Sequence, residues 1–359
     1  MATTTSSAEP GAPAGAGTGA QEPGDTPPPE DSERDAAGLG RRRAAAFVAP
    51  ALVLIALFLV LPAVWTLYLG STNYRLTGIP AIDPSFVGLD NITNALSDSG
   101  FLHSLLLTLL FVLGSAVIGQ AGLGFSLAWW MRDRSGWLKG LLEALIMLSW
   151  ILPSSVVAFL WIAFLDRDGG TLNTLLHTPG AAWLLDHPML SIIVYNVWRG
   201  TAFSMMLYGA ALGNVPRSHL ETARLAGAGG WQQLRDVVFP CIRGHVLTNL
   251  LLISLWTFND FTPFLITAGG PDGATETLPV FIYKTALGSG QLGYGAAISF
   301  LMLLINLIVA VIYLRLLGQK KKSRKTAKDA KSAGSSASTG STGNATGAPG
   351  SDTEKEVAA

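Results

Sequence analysis

The sequence is poor in cysteine and in charge. Its 359 residues include a single cysteine, Cys241, and only 13% charged residues, against about 25% in an average soluble domain. One cysteine excludes an internal disulfide and any metal site built from several cysteines. Together with a 49% share of hydrophobic residues, the scarcity of charge favours a protein embedded in lipid.

Motifs for catalysis, metal binding and nucleotide binding are also absent. The histidines lack the spacing of metal ligands, and they are scattered along the chain as His103, His177, His187, His219 and His245. No grouping of serine, cysteine or carboxylate side chains is typical of a catalytic site. The phosphate-binding pattern Gly-x-x-x-x-Gly-Lys-Ser/Thr does not occur. We therefore expect no catalytic residue, no metal and no bound cofactor on this chain, and nothing indicates a nucleic-acid partner.

The chain has instead six long apolar runs, at about residues 44–69, 104–130, 141–165, 188–212, 246–268 and 292–314. A hydrocarbon core of ~30 Å takes about 20 helical residues to cross, and each run is long enough. We predict an all-α integral membrane protein of about six transmembrane helices, in contact with membrane lipid. The first run is too long for the apolar core of a secretory signal peptide, so we expect it to be retained as a span.

The two ends of the chain have the composition of disordered tails. Residues 1–43 are rich in Ala, Gly, Pro, Ser, Thr and Glu, and residues 319–359 open with a lysine cluster before becoming low in complexity. Such segments cannot bury enough apolar surface to fold. We predict a disordered N-terminal tail at 1–43, a transmembrane domain at 44–318 and a disordered C-terminal tail at 319–359.

Basic residues indicate the orientation, because Lys and Arg accumulate in the cytoplasmic loops of membrane proteins. With the N-terminus inside, the cytoplasmic segments hold Arg41–Arg43, Arg132, Arg134, Lys139, Arg217, Arg224, Arg235, Arg243, Arg315 and the lysines from Lys320. The outer loops hold only Arg75, Arg167 and Lys284. We therefore expect both termini in the cytoplasm.

The polar segment between the fourth and fifth runs, residues 213–240, differs from the other connections. Ser218 and Glu221 form a capping-box pattern that predicts a short helix. Gly227, with two further glycines after it, predicts the end of that helix. A second helix is expected over 231–239, with Pro240 as its stop. The pattern therefore predicts a short cytoplasmic helix, a glycine turn and a second helix.

At these residues the sequence resembles the binding-protein-dependent permease family of ABC importers. The motif of that family reads Glu-Ala-Ala, three residues, Gly and, after a longer gap, Pro; Glu221, Ala223, Gly227 and Pro240 stand at its matching positions. The sequence departs from the motif at Thr222, which replaces the middle Ala, and at Ala226, where an acidic residue often precedes the Gly.

Shorter motifs resemble the carbohydrate branch of the same family, such as the maltose and glycerol-phosphate permeases. They lie at residues 86–91, 257–261, 268–271, 276–279 and 292–297. Each motif alone is weak, but their order and spacing together are specific. The resemblance covers nearly all of residues 44–317.

The resemblance implies that Glu221 to Gly227 form a coupling helix, and that ATPase subunits dock on residues 217–228. The chain would form half of the pathway for a solute, which we expect to be a sugar or a sugar derivative. Its implied partners are a second similar permease subunit, two ATPase subunits that use ATP and magnesium, and an extracytoplasmic solute-binding protein. The implied location is the plasma membrane of a bacterium.

Charged and aromatic residues inside the spans are candidates for the solute pathway, because charges within a membrane usually serve function or pairing. Arg199 and Asp260 are expected at similar depths, where they could form an ion pair, line the pathway or serve separate roles. Trp198, Trp256 and Asn259 lie close to them in the sequence. Aromatic faces and amides suit sugar rings, although packing between spans explains each of these residues equally well.

Two other classes of membrane protein compete with this interpretation. An ion-coupled secondary transporter is the first alternative, but it would favour several carboxylates within the membrane, whereas this chain has Asp260 and the interfacial Glu143. A polytopic enzyme is the second, and it would need clustered catalytic residues at one interface.

Overall fold

The computed structural model describes the backbone of residues 41–338 and the side chains of residues 45–317. The tails predicted at residues 1–40 and 339–359 lie outside the described residues. Within the described chain the fold is helical, and the single extended pairing joins Thr72 to Phe86. The all-α class predicted from the sequence is confirmed.

Within the described residues, nine helices form the bundle and its candidate site. They are α1 (Ala45–Gly70), α2 (Ser99–Met131), α3 (Trp137–Ile151), α4 (Ser154–Phe164), α5 (Pro188–Gly213), α6 (Arg217–Leu225), α7 (Gly230–Phe258), α8 (Thr262–Thr267) and α9 (Leu292–Ser338). Shorter helices lie in the connections, at Ile79–Ile82, Asp90–Ser97, Thr171–Leu176, Trp183–Asp186 and Leu278–Tyr283. Helices α2 and α7 contain π-helical stretches at Val112–Gln120 and Gln233–Val238.

Four of the described helices, α1, α2, α7 and the first part of α9, are long and apolar enough to cross a membrane. Helices α3 and α4 add a fifth span if the two count as one. Helix α5 has 26 residues but is not among the helices that combine this length with a sufficiently apolar composition. The prediction of a multi-span helical membrane protein is confirmed, whereas the count of six spans is not.

The third predicted span, residues 141–165, is broken rather than continuous. Helices α3 and α4 meet at a bend of 105°. Leu152, between them, has the extended backbone angles φ −62° and ψ 138°. Pro153 is the physical cause, because its ring disfavours a helical conformation in the residue before it.

The fifth predicted span, residues 246–268, is wrong at both ends. Helix α7 begins at Gly230 and continues through Pro240, which was expected to stop it. The π-helical stretch Gln233–Val238 changes the hydrogen-bond pattern just before the proline, so the helix tolerates the missing N–H. At the other end α7 stops at Phe258, ten residues early, and the chain resumes as α8.

Helical backbone extends into both predicted tails. It begins at Arg41 and continues to Ser338, although disorder was expected up to residue 43 and from residue 319. The lysines and alanines that follow residue 319 are strong helix formers, which is why a helix that starts in the membrane continues past Leu317.

The described chain divides at Val60 into two units. In the first unit, every side chain from residue 45 to residue 60 is exposed. In the second, the Leu61–Gly70 part of α1 packs against α9. Gly70 permits this contact, because a Cβ atom there would lie only 3.1 Å from the backbone nitrogen of Ala297.

Helices α2 and α5 pack closely through glycines on α2. A Cβ atom at Gly119 would come within 2.1 Å of Val197 Cγ2, and one at Gly124 within 2.5 Å of Ser204 Cβ and 2.9 Å of the Met205 backbone nitrogen. Small residues at a helix interface let two backbones approach within the membrane. This close interface at Gly119 and Gly124, called the seam below, fixes α5 against α2. Helix α5 carries Asn196 and Arg199.

A larger residue in the seam should destabilise the bundle. Gly124→Val forces the backbones of α2 and α5 apart, and overpacking of this kind costs about 1–3 kcal/mol. Gly122→Val is the matched control, because a Cβ atom at Gly122 has nothing within 4 Å. We expect a lower melting temperature for Gly124→Val alone in detergent; equal melting temperatures for the two variants would contradict the seam.

Candidate functional site

The short helix predicted in the polar segment is present as α6. It has nine residues, Arg217–Leu225, and follows Pro216, whose backbone angles are φ −59° and ψ 128°. The predicted capping box is wrong, because Pro216 occupies the cap position and no side chain caps this helix. Ser218 instead lies in the first turn, where its carbonyl accepts a hydrogen bond from Thr222 Oγ1 at 2.9 Å.

The end of α6 is fixed by Gly227. This residue has φ +82°, a conformation that favours glycine because it has no Cβ. Its N–H donates to the Arg224 carbonyl, and the N–H of Ala228 donates to the Ala223 carbonyl, both at 2.9 Å. These two bonds form a Schellman motif, so the chain reverses sharply at the predicted position.

The turn after α6 is attached to the start of α7. Gln233 Nε2 donates to the Ala228 carbonyl at 2.8 Å, and the Gly229 N–H donates to Gln232 Oε1 at 3.0 Å. Leu220 of α6 is half-buried against a cluster that includes Val238 and Ile242 of α7. Helix α6 and the first turns of α7 are therefore held together both by hydrogen bonds and by apolar packing.

Two large apolar side chains remain uncovered beside this turn. Leu225 is 90% exposed and Trp231 is 73% exposed. Leu225 is the last residue of α6, and Trp231 is the second residue of α7. Both side chains are therefore available for contact with a partner.

Helix α6 and the loop after α2 line a basic cleft. The cleft has a volume of about 400 Å³ and is lined by Arg132, Asp133, Arg134, Arg217, Leu220, Glu221 and Arg224. A hydrogen bond from Arg132 lowers the pKa of Asp133, and the charges of Arg224 and Arg217 act in the same direction. The predicted site residue Glu221 is thus one of two acids among four arginines.

The predicted pathway residues Arg199, Trp198 and Trp256 lie beside the bend between α3 and α4. The Arg199 guanidinium carbon lies 5.8 Å from the centroid of the Trp150 ring. Trp256 also packs against Trp150, with 5.5 Å between ring centroids. Trp198 instead packs against Trp161 of α4, at 6.0 Å. The bend therefore gathers these three residues around two tryptophans that the sequence analysis did not single out.

Arg199 and Asp260 do not form the ion pair that was considered from the sequence. Among the described residues, Arg199 Nε and Asp260 Oδ2 are buried without a hydrogen-bond partner. Asp260 Oδ1 accepts from the Thr262 N–H at 2.9 Å and from Thr262 Oγ1 at 2.6 Å. The aspartate therefore stabilises the start of α8, because its side chain supplies an acceptor where the helix is interrupted.

Asn259, the remaining predicted pathway residue, pairs with α9. Its amide and that of Asn306 each donate to the other's oxygen at 3.2 Å. Asn306 was not identified from the sequence. The signal in the sequence that could have identified Asn306 is its position, as an amide in the middle of the last apolar run.

A group of buried polar side chains between α2, α5 and α7 was also missed. Asn196 Nδ2 donates to Ser115 Oγ at 2.7 Å and to Thr257 Oγ1 at 3.3 Å. Eight residues before Thr257 on α7, the Asn249 amide donates to Ser204 Oγ and to the Tyr208 hydroxyl, both at 3.0 Å. Amides inside apolar runs were visible in the sequence, but their partners on other helices were not.

These groups hold helices in place and offer no arrangement for bond chemistry. In the part of the chain that the structure describes, no three His, Cys, Asp or Glu side chains come together as metal ligands. The features that remain are an exposed short helix fixed to a long one, and a break in the membrane helices lined by aromatic and charged side chains.

The model of the family described as "Binding-protein-dependent transport system inner membrane component" matches residues 120–322. The chain belongs to this family and is therefore a multi-pass inner membrane component of a transport system. Membership confirms the predicted resemblance and replaces the ion-coupled alternative.

Similar proteins cover most of the chain. A probable ABC transporter permease protein of Pyrococcus horikoshii is 31% identical over 282 residues, which are 75% of this chain and 93% of the relative. The sulfoquinovosyl glycerol transport system permease protein of Agrobacterium fabrum is 27% identical and covers 78% of this chain and 92% of its own length. The sn-glycerol-3-phosphate transport system permease protein of the same organism is 29% identical, over 76% and 94%.

A solved structure shares the fold. It is the crystal structure of a bacterial ABC transporter involved in the import of the acidic polysaccharide alginate. The matched chain has a TM-score of 0.62 and 17% identity, with coverage of 77% of this chain and 95% of that one.

A charge swap between Arg199 of α5 and Asp260, which follows α7, should not restore transport. The double variant Arg199→Asp with Asp260→Arg removes the acceptor that Thr262 requires, since an arginine side chain has donors only. We expect uptake by reconstituted vesicles to be no higher for the double variant than for either single variant. Asp260→Asn keeps an acceptor oxygen and should retain more uptake than Asp260→Arg; rescue by the swap would instead establish an ion pair.

Proposed function

We propose that this chain forms one half of the translocation pathway of an ATP-driven importer, and that α6 is the helix through which an ATPase subunit moves it. The observation that carries the proposal is the combination at α6 of exposure and attachment. Leu225 is 90% exposed and free to be covered by a partner, while Gln233 and Leu220 join the same segment to α7.

The docking element would consist of Glu221, Thr222, Ala223, Ala226 and Gly227. Pro240 would lie in the turns of α7 that follow this element. Thr222 keeps the small size of the family's alanine and bonds only to its own helix. Ala226, where the family often has an acid, leaves the docking surface with one negative group fewer. The remaining contacts would be apolar, through Leu225 and Trp231.

The proposed assembly contains a second, similar permease subunit, two ATPase subunits docking on residues 217–228, and an extracytoplasmic solute-binding protein. This chain would be non-catalytic and bind no cofactor, with ATP and magnesium used by the ATPase subunits. The basic cleft favours placing this end of the bundle, and with it both termini, in the cytoplasm of a bacterium, because basic residues accumulate on that side.

The solute is proposed to be a sugar or a sugar derivative. Two of the relatives are named for sulfoquinovosyl glycerol and sn-glycerol-3-phosphate transport. Arg199, Trp198, Trp256, Asn259 and Asp260 would contribute to the pathway. The tryptophans are 44% and 47% exposed, which leaves aromatic faces available for the C–H surface of a sugar ring.

The role of the turn at Gly227, which ends α6, can be tested by comparing substitutions at two glycines. Gly227→Val places a β-branched residue at φ +82°, and a left-handed conformation costs an L-residue about 1–2 kcal/mol. Gly229→Val is the control, since Gly229 has φ −69° and neither position has an atom within 4 Å of a Cβ. In the purified complex we expect Gly227→Val to lose most of the ATP hydrolysis stimulated by the binding protein. Unchanged hydrolysis would overturn the role of the turn.

The docking surface can be tested separately. Leu225→Asp places a charge where the ATPase would bury an apolar side chain, so the ATPase should no longer co-purify. Ile82→Asp is the matched control, because Ile82 is also 90% exposed but lies in the connection between α1 and α2. If both variants retain the ATPase equally, α6 is not its docking site.

A further inference from the structure

A second cleft, which the proposed transport mechanism does not use, lies between α2, α3 and α5. It has a volume of about 390 Å³, and its inner part is apolar: Met131, Met147, Met205, Met206, Gly209 and Ala210 line it. Arg132, Lys139 and Glu143 line the same cleft at the end where α2 finishes and α3 begins. The cleft therefore changes from charged to apolar along its length.

The charged and apolar parts are arranged along the helices in the order that an amphiphile requires. Lys139 and Met147 are eight residues apart on α3, and Gly213 and Met205 are eight apart on the antiparallel α5. Eight residues correspond to about 12 Å of helix. The apolar part of the cleft is called the trough below. It is open along this length, because a Cβ atom at Gly209 or Gly213 would have nothing within 4 Å.

The cationic end is continuous with the basic cleft beside α6. Arg132 lines both clefts, and a small third cleft, lined by Arg134 and Lys139 among others, adjoins them. The Arg132 guanidinium lies 4.1 Å from the Trp129 ring, and that of Arg134 lies 4.0 Å from the Trp130 ring. Tryptophans of this kind lie at the boundary between hydrocarbon and headgroups, which places the cations at headgroup depth.

The acids near these cations leave them available. Lys139 and Glu143 are 3.7 Å apart and both are partly exposed, and i,i+4 pairs of this kind are weak. Arg132 pairs with Asp133, but an arginine has five donors. Around the three clefts, the five cations Arg132, Arg134, Lys139, Arg217 and Arg224 outnumber the three acids Asp133, Glu143 and Glu221.

We propose that the cleft between α2, α3 and α5 binds an anionic phospholipid, with its phosphate at Arg132 and Lys139 and one acyl chain along Met147, Met206 and Gly209. The occupant is a lipid rather than a protein segment because the cleft joins an apolar trough at membrane depth to a cluster of cations at headgroup depth. Basic sites between transmembrane helices are suited to anionic headgroups.

The test uses the purified complete complex and phosphatidylglycerol, with phosphatidylcholine and inorganic phosphate as comparison ligands, and counts bound lipids by native mass spectrometry. Lys139→Gln removes one cation and should weaken phosphatidylglycerol binding about fivefold, the ratio that ~1 kcal/mol per cation gives. Arg235→Gln is the control for Lys139→Gln. Arg235 is a basic residue of the polar segment 213–240, its side chain is 77% exposed, and it does not line any of the three clefts.

Gly209→Leu fills the trough and should also displace the lipid, whereas Gly122→Leu, on an open face of α2, should not. The proposal is supported if both cleft variants weaken saturable phosphatidylglycerol binding and both controls leave it unchanged. It is overturned if phosphatidylcholine or free phosphate binds as well as phosphatidylglycerol. Loss of complex assembly in Gly209→Leu, with lipid content unchanged, would also overturn it and would identify the cleft as a contact with another subunit.

Discussion

Inside hydrocarbon, every backbone N–H and C=O must find a partner within the protein. Long helices meet this requirement by themselves, and each break in a helix needs a substitute. At the end of α7 the substitute is Asp260, whose carboxylate accepts from both the backbone and the hydroxyl of Thr262. At the bend between α3 and α4, the Tyr195 hydroxyl of α5 donates to the carbonyl of Ser154 at 3.4 Å, which ties α5 to the first turn of α4. The breaks are therefore stabilised by side chains from the chain itself.

The same constraint explains where the polar side chains are. Asn196 reaches α2 and α7 from the middle of α5, and Gln120 of α2 donates back to the Asn196 carbonyl at 3.1 Å. Hydrogen bonds between helices each contribute only modestly in a membrane. Their value here is positional, since three helices are held in register next to the breaks at which the aromatic and charged residues gather.

The sequence was sufficient for the helical class, the family and the position of the short helix, because these depend on local patterns. Long apolar runs predict helices, and Gly227 predicts a left-handed turn wherever the rest of the chain goes. The failures have a different origin. Pro240 predicts a helix stop, yet a π-helical stretch before it lets α7 continue. Whether a proline stops a helix depends on hydrogen bonds that residue spacing does not specify.

The partners of single polar residues were equally out of reach. Arg199 and Asp260 were predicted to lie at similar depths, but depth along two helices does not fix the rotation of either one. In the structure, Arg199 faces Trp150 and Asp260 turns to Thr262. Asn259 and Asn306 are 47 residues apart, and only the packing of α7 against α9 brings them together.

These breaks also decide how far a movement of α6 can travel. Helix α6 is fixed to the first turns of α7, and α7 is continuous to Phe258, so a displacement applied at Leu225 is carried about 40 Å along 29 residues of helix. Beyond Phe258 the backbone is not helical until α8 begins, and the rigid transmission stops there. The residues at that point are Asn259 and Asp260, one bonded to α9 and the other to α8. If an ATPase moves α6 as proposed, a rotation of α7 would change the contacts of these two side chains first, and they are the residues proposed to meet the solute.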